Sequence, residues 1–349
     1  EWKDMKLVKE KIKVKGEDEP MVRINRFTHR GPVVSQFRGV KDKVISASWQ
    51  GNEYSNELRS CHLLNRAKNW TDFREALKTF TSISQNIIYA DRQGNIGLQT
   101  SAGIPIRREG GILVYPGDTT LYDWLGSVPF EELPYAYNPD CGYVSSANNK
   151  TVDENYPHYI SAWFALPHRI GRIREMLEEK EKMGTNDFKR MLRDQSSHFA
   201  RDYVPIYLDA LDGNTDSIYS DALSILQTWD YQMDASSSAA LISEVLWLEL
   251  NKSIFHDELG NELFLLLLQN DIVAENLINR IRITGQSGWC DNIHTKRVKE
   301  TFYDNIESAF RQTVDTLQAL YGPDPSVWQW GDLHKVEIQH PLGSVAVVN

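Results

Sequence analysis

Between residues 6 and 14, Leu7, Val8, Ile12 and Val14 alternate with Lys and Glu, a period near two that suits a half-exposed β-strand. Gly16 to Pro20 reads as a turn, and residues 21–27 and 44–49 as further strands, so residues 1–50 form part of a small β domain. Helical spacing takes over at 56–64 and 71–80, the second helix opening on Thr71 as its N-cap with Arg74 and Glu75 in the first turn. Residues 87–89 and 96–100 predict a hairpin around Arg92-Gln93-Gly94-Asn95, because Gly and Asn supply the positive φ of a tight turn. The same sheet is expected to continue at 143–146.

Beyond it, Ile170, Ile173 and Leu177 fall at helical spacing behind Pro167, and Thr185-Asn186-Asp187-Phe188 can start another helix. Leu223, Leu226, Leu241, Val245, Leu248 and Leu266 recur with periods near three and four as far as residue 319, the pattern of helices packed on a core. Strand signals return only at 336–338 and 345–348. The chain is therefore α+β in four stretches: the small β domain at 1–50, sheet and helix layers at 51–185, a mainly helical segment at 186–319, and a return toward the sheet at 320–349. Trp289, Trp328 and Trp330 are expected to be a packing site that anchors the helical segment to the sheet.

Composition narrows the classes of function. A chain of 349 residues with 41% hydrophobic content can bury a large core. A formal charge of −10, with no dense basic patch beyond Lys3 to Lys15, argues against nucleic acid as a partner. The longest apolar run, around 263–268, is far shorter than the roughly 20 residues that cross a bilayer. Cys61, Cys141 and Cys290 are too scattered for a metal cluster, and the nine histidines form no HExxH arrangement. No repeat and no phosphate-binding glycine loop is present.

The candidate chemistry centres on Gly142-Tyr143-Val144-Ser145-Ser146-Ala147-Asn148-Asn149. Tyr and Val favour a strand and paired Asn the turn after it, which would set two amides at the rim of a sheet within reach of a ligand. A side-chain oxyanion donor would be placed there. The plain alternative is a turn whose Asn side chains only satisfy backbone groups.

The surrounding residues form an ordered series. Gln85-Asn86-Ile87-Ile88-Tyr89-Ala90-Asp91-Arg92-Gln93-Gly94-Asn95-Ile96-Gly97 precedes Gly103-Ile104-Pro105-Ile106-Arg107, Pro116-Gly117, Trp124-Leu125-Gly126, Leu133-Pro134 and Asn138-Pro139. After the double Asn come Trp229-Asp230, Trp289-Cys290-Asp291, Tyr321-Gly322, Trp328-Gln329-Trp330-Gly331-Asp332-Leu333-His334 and His340-Pro341-Leu342-Gly343. The series resembles the β chain of the penicillin acylase family of N-terminal-nucleophile amidohydrolases over nearly the whole length. Thr28-His29-Arg30-Gly31-Pro32 is similar to the family's Thr-x-His-Gly-Pro stretch, with Arg30 where His is common.

The resemblance implies a partial αββα sandwich with a small β domain and a large helical segment. It also implies site residues. Asn148 matches the Asn whose amide helps stabilise the tetrahedral intermediate, and Arg169 the Arg that organises the nucleophile's amine. Gln85 matches an acyl-pocket position, polar here where penicillin G acylases carry an aliphatic residue. Ile160 stands where some relatives carry a calcium-binding Asp, which argues against a structural calcium of that kind; Asp153 and Glu154 read as a solvated loop. No cofactor is required for catalysis.

Glu1-Trp2-Lys3-Asp4 is neither a signal peptide nor a Met start, and Glu cannot act as the N-terminal Ser, Thr or Cys. The chain is therefore expected to be a fragment, inert alone, whose partners are the α chain and the start of the β chain of the same precursor, with a small N-acyl compound as substrate. Bared sheet edges are expected to favour self-association. By resemblance the location is periplasmic or secreted. The rival reading is a non-catalytic binding or assembly module derived from the same family.

Overall fold

The computed structural model describes residues 3–109, 111–211 and 217–338. The chain divides into two compact units, Glu1–Phe164 and Ala165–Asn349.

In the first unit, β1 (Lys6–Ile12) and β2 (Met21–Thr28) form an antiparallel pair with Lys6 opposite Phe27, and the two-residue β3 (Gly31–Pro32) extends it. Residues 44–49, expected as a strand, make only a bridge between Val33 and Ser46. Pro32 has no N–H to offer a ladder; its carbonyl accepts from Ala47 at 2.9 Å and Val34 donates to Ile45 at 2.8 Å, and regular pairing goes no further.

Two short helices follow, α1 (Glu57–Leu64) and α2 (Trp70–Leu77). Asn56 Oδ1 caps α1 by accepting from the Arg59 N–H at 2.9 Å. The cap of α2 is Asn69 rather than Thr71: its Oδ1 accepts from Asp72 N–H at 2.9 Å, so the cap lies two residues earlier than expected. Phe73 and Leu77 of α2 pack with Tyr89 of the next sheet, and Trp70 stacks on Tyr137 at 5.0 Å.

That sheet is β4 (Gln85–Ala90), β5 (Ile96–Ser101) and β6 (Tyr135–Tyr137), antiparallel throughout with β5 in the centre. The β4–β5 hairpin is the expected one. Asp91 locks it, accepting from the backbone N–H groups of Gln93 and Asn95 and from the Asn95 amide at 2.8–2.9 Å. The Asn95 hydrogen bond, with that from Tyr89, pulls the Asp91 carboxyl down to about 2 against the opposing effect of burial. The third strand differs from expectation. Tyr135–Tyr137 takes the free edge of β5, and residues 143–146 run without a ladder. Asn138, at φ +48°, and Gly142, at φ +76°, turn the chain away between them.

The second unit is helical: α3 (Pro167–Glu178), α4 (Thr185–Met191), α5 (His198–Ala210), α6 (Ser217–Gln227), α7 (Ser238–Leu268), α8 (Asp271–Thr284), α9 (Phe302–Tyr321) and α10 (Trp330–Leu333). Its core gathers Val204 and Tyr207 of α5, Leu241, Leu246 and Leu250 of α7, and Ile306, Phe310 and Val314 of α9, all fully buried. Gly260 breaks α7 at φ +65° and ψ 176°. Trp328 is 0% exposed, with its indole N–H donating to Gly322 O at 2.9 Å, and Trp289 and Trp330, partly buried, pack against the same core. The cluster therefore seals the helical core itself, in place of the expected anchor to a sheet. Residues 336–338 carry no strand, Val336 and Ile338 being 80% and 90% exposed; 345–348 and His340 to Gly343 lie outside the described residues.

Candidate active-site cleft

A cleft of about 520 Å³ opens on the first unit, and two of the residues singled out from the sequence, Gln85 and Asn148, line it. Gln85 opens β4. Asn148 stands in the loop beyond residue 146, at φ +63° in the left-handed region, where Asn is one of the few side chains tolerated. Four hydrogen bonds fix the surrounding residues. Asn149 Oδ1 accepts from the Ala147 N–H at 3.1 Å, and Asn149 Nδ2 donates to Lys150 O at 2.8 Å. Asn86, next to Gln85 on β4, donates from Nδ2 to Ser146 Oγ at 2.9 Å while its Oδ1 accepts from Thr100 Oγ1 at 2.7 Å.

The two amides differ in exposure. Asn149 is 8% exposed and engaged with the backbone, whereas Asn148 is exposed on the cleft. Asn149 makes the backbone hydrogen bonds expected of a turn, and the exposed Asn148 lines the cleft.

The rest of the lining is informative for its chemistry. It contributes amides and hydroxyls, among them Gln50, Ser84 and Ser161, and the rings of Trp124, Trp163 and Phe164. Arg107 is its one described cation. Among the described lining residues there is no carboxylate, histidine, lysine or cysteine. Such a surface can bind an acyl group and donate to developing negative charge, but it offers no conventional general base.

Arg169 belongs to the second unit, exposed in the first turn of α3, where Pro167 fixes the helix start. Ile160, at the expected calcium position, lines the cleft as an apolar side chain. Asp153 and Glu154 turn to separate partners, the Asn155 N–H and Lys150 Nζ, each at 2.9 Å. Among the described residues no group of three His, Cys, Asp or Glu side chains is placed to hold a metal ion.

In the sequence Asn86, Ser146 and Arg107 belong to the motif stretches but carry no assigned role. The signal for Asn86 and Arg107 was their place in the series, at the start of β4 and just after β5. Nothing in the sequence pairs Asn86 with Ser146.

The fold is that of the penicillin acylases. A thermostable penicillin G acylase from Alcaligenes faecalis superposes with a TM-score of 0.72, at 20% identity, over 93% of this chain and 62% of that one. The penicillin amidase family model matches residues 1–349, and the chain belongs to the penicillin amidase family. Acyl-homoserine lactone acylase QuiP of Pseudomonas syringae pv. tomato is 29% identical over 78% of the chain and 35% of its own length. QuiP of Pseudomonas aeruginosa is 26% identical over 99% of the chain and 44% of its length. Penicillin G acylase of Escherichia coli is 30% identical over 62% of the chain and 26% of its length. The chain thus spans less than half the length of these curated relatives.

Proposed function

We propose that this chain supplies the acyl-binding cleft and the side-chain oxyanion donor of an amidohydrolase that cleaves a linear N-acyl amide through an N-terminal nucleophile and an acyl-enzyme. The observation that carries the reading is the cleft's chemistry: Asn148 is presented on a surface of donors and rings that holds no described carboxylate, histidine, lysine or cysteine. Chemistry that uses the nucleophile's own α-amine as base requires no other base in the cleft.

In this reading the hydroxyl or thiol of the nucleophile adds to the amide carbonyl and its proton passes to the α-amine. Asn148 Nδ2 donates to the oxyanion as it forms, an interaction that strengthens only toward the transition state. The intermediate collapses by breaking the C–N bond, the proton leaves with the amine, and water then releases the acyl group as an acid. Arg169 orients the nucleophile's amine, and Gln85 borders the acyl chain. In this reading the nucleophile and its α-amine are supplied by another segment of the same precursor. The relatives named for acyl-homoserine lactones and for penicillins support an N-acyl compound as substrate.

The absence of a described base in the cleft also favours a second reading, a binding module without catalysis. Turnover separates the two. In the intact protein, Asn148→Gly removes the amide at a backbone conformation that glycine accepts, and Asn148→Asp keeps the shape while replacing the donor by an acceptor. Both should lower the single-turnover acylation rate by about 10²–10³ with KM little changed. Acylation at the parent rate would exclude Asn148 as the donor. A parent protein that shows no self-processing by mass spectrometry and hydrolyses no N-acyl amide would establish the binding module.

A further inference from the structure

Arg107 lines the same cleft and also a second one beside it, the two sharing Ser48, Arg107 and Trp124. Its guanidinium lies 5.7 Å from the Trp124 ring centroid and 5.7 Å from that of Tyr159. Gly111 closes against it: a Cβ there would come within 3.1 Å of Arg107 Nε and of the Tyr159 ring. The side chain is thus half-buried and held by packing on several sides.

No described carboxylate pairs with it. Its hydrogen bond is a long one, Nη1 to Pro105 O at 3.5 Å. Arg74, Lys78 and Arg311, which also lie over aromatic rings, each reach a glutamate, at 2.9, 2.8 and 3.1 Å. Arg30, on the second cleft, is already spent on Asp123, with Gly117 O accepting from its Nη1 at 2.9 Å and Thr119 O from its Nη2. Burial pulls the Arg107 pKa down from the ordinary arginine value; the Tyr159 and Tyr115 phenols oppose it without overcoming it, and no described carboxylate contributes. A cation taken partly out of water without a counter-ion is costly, and that cost is recovered when an anion arrives.

We propose that Arg107 is a carboxylate-binding residue of the cleft, and that the N-acyl substrate carries a carboxylate which this guanidinium receives. The second clause rests on the acylase reading; the first does not. One uncommitted guanidinium balances a single negative charge, and its planar fork matches the two oxygens of a carboxylate. A monoanionic N-acyl compound therefore fits better than a neutral N-acyl lactone.

The test compares N-hexanoylglycine with its uncharged isostere N-hexanoylglycinamide, titrated calorimetrically into the protein at pH 7 and low salt. The carboxylate should bind at least about tenfold more tightly than the carboxamide. Arg107→Gln should bring the ratio close to one, and Arg107→Lys should keep part of it, with thermal midpoints confirming that both variants fold. Equal affinities in the parent, undetectable binding of the acid, or a preference that survives Arg107→Gln would each overturn the proposal. The parent comparison needs no variant.

Hydrolysis separates this inference from the one it builds on. An Arg107-dependent preference in a protein that cleaves no amide leaves the anion site standing and removes the acylase reading. Cleavage of acid and carboxamide with equal kcat/KM, in parent and Arg107→Gln alike, does the reverse.

Discussion

The Asn86 amide ties the edge strand β4 to the loop that carries Asn148, donating to Ser146 Oγ at 2.9 Å. The same side chain accepts from Thr100 Oγ1 on β5 at 2.7 Å, so one residue couples the hairpin to the loop. Asn86→Ala should free the loop and leave the buried Thr100 hydroxyl without its acceptor, a loss of about 1–3 kcal/mol. The thermal midpoint should fall, and amide exchange at 146–149 should quicken. In the intact protein kcat should drop about tenfold, because a donor misplaced by about 1 Å loses much of its effect. Ser146→Ala should reproduce the rate loss at a smaller cost in stability. A lowered midpoint with kcat unchanged would make Asn86 a structural residue only.

Asn149→Ala is expected to act on stability before rate. It removes the side-chain hydrogen bond that Asn149 Oδ1 accepts from the Ala147 N–H, a residue only 7% exposed, at a cost of about 0.5–1.5 kcal/mol. Thermal melts and single-turnover rates of Asn149→Ala and Asn148→Gly should show opposite patterns. If Asn149→Ala loses acylation with its fold intact, the roles of the two amides are reversed.

Gln85→Leu should shift acyl preference. A polar amide bordering the cleft discourages a long aliphatic chain, and an aliphatic side chain there restores contact worth about 0.8 kcal/mol per methylene it buries, near fourfold each. Comparing kcat/KM across straight-chain N-acyl substrates of increasing length would measure it. An unchanged chain-length profile would remove Gln85 from the acyl pocket.

His168 gives the second unit a pH dependence. Its Nε2 lies 2.6 Å from Glu275 Oε1 and its Nδ1 3.5 Å from Asp202 Oδ2. Burial disfavours the charged ring, but the hydrogen bond and charge of Glu275, with the charge of Asp202, outweigh it and raise the pKa above 6.5. The folded state therefore holds the proton more tightly than the unfolded chain. This contribution is complete below the ordinary histidine value of about 6.5 and is lost as pH rises through the raised one. The stability gap between the parent and His168→Gln, measured by denaturant unfolding, should be larger at pH 6 than at pH 9. A gap that widens with pH would contradict the pairing.

What could be read from the sequence was mostly local. The β4–β5 hairpin follows from Gly94 and Asn95 between two apolar runs, and the helices from apolar spacing within each segment. Long-range competition was not legible. The free edge of β5 could have been taken by 135–137 or by 143–146, each carrying residues that favour a strand, and the chain reversal set by Asn138 and Gly142 decided for the first. The cap of α2 was misplaced because Asn69 and Thr71 are both good caps, and only the fold shows whose oxygen meets an N–H. At the cleft, resemblance singled out Gln85 and Asn148, 63 positions apart, and the fold sets both on one surface. Arg107 carries no such signal in the sequence, because an arginine becomes informative only when its missing counter-ion can be seen.

The left-handed backbone at Asn148 limits which residues that position can accept. Glutamine offers the same amide one methylene further out, yet it belongs to the large majority of side chains that resist φ near +60°. A saturation library at this codon, screened for folding alone, should therefore return mainly glycine, asparagine and aspartate. Screened for turnover it should return asparagine. The first filter is set by dihedral geometry and the second by hydrogen-bond donation, and asparagine is the residue that passes both.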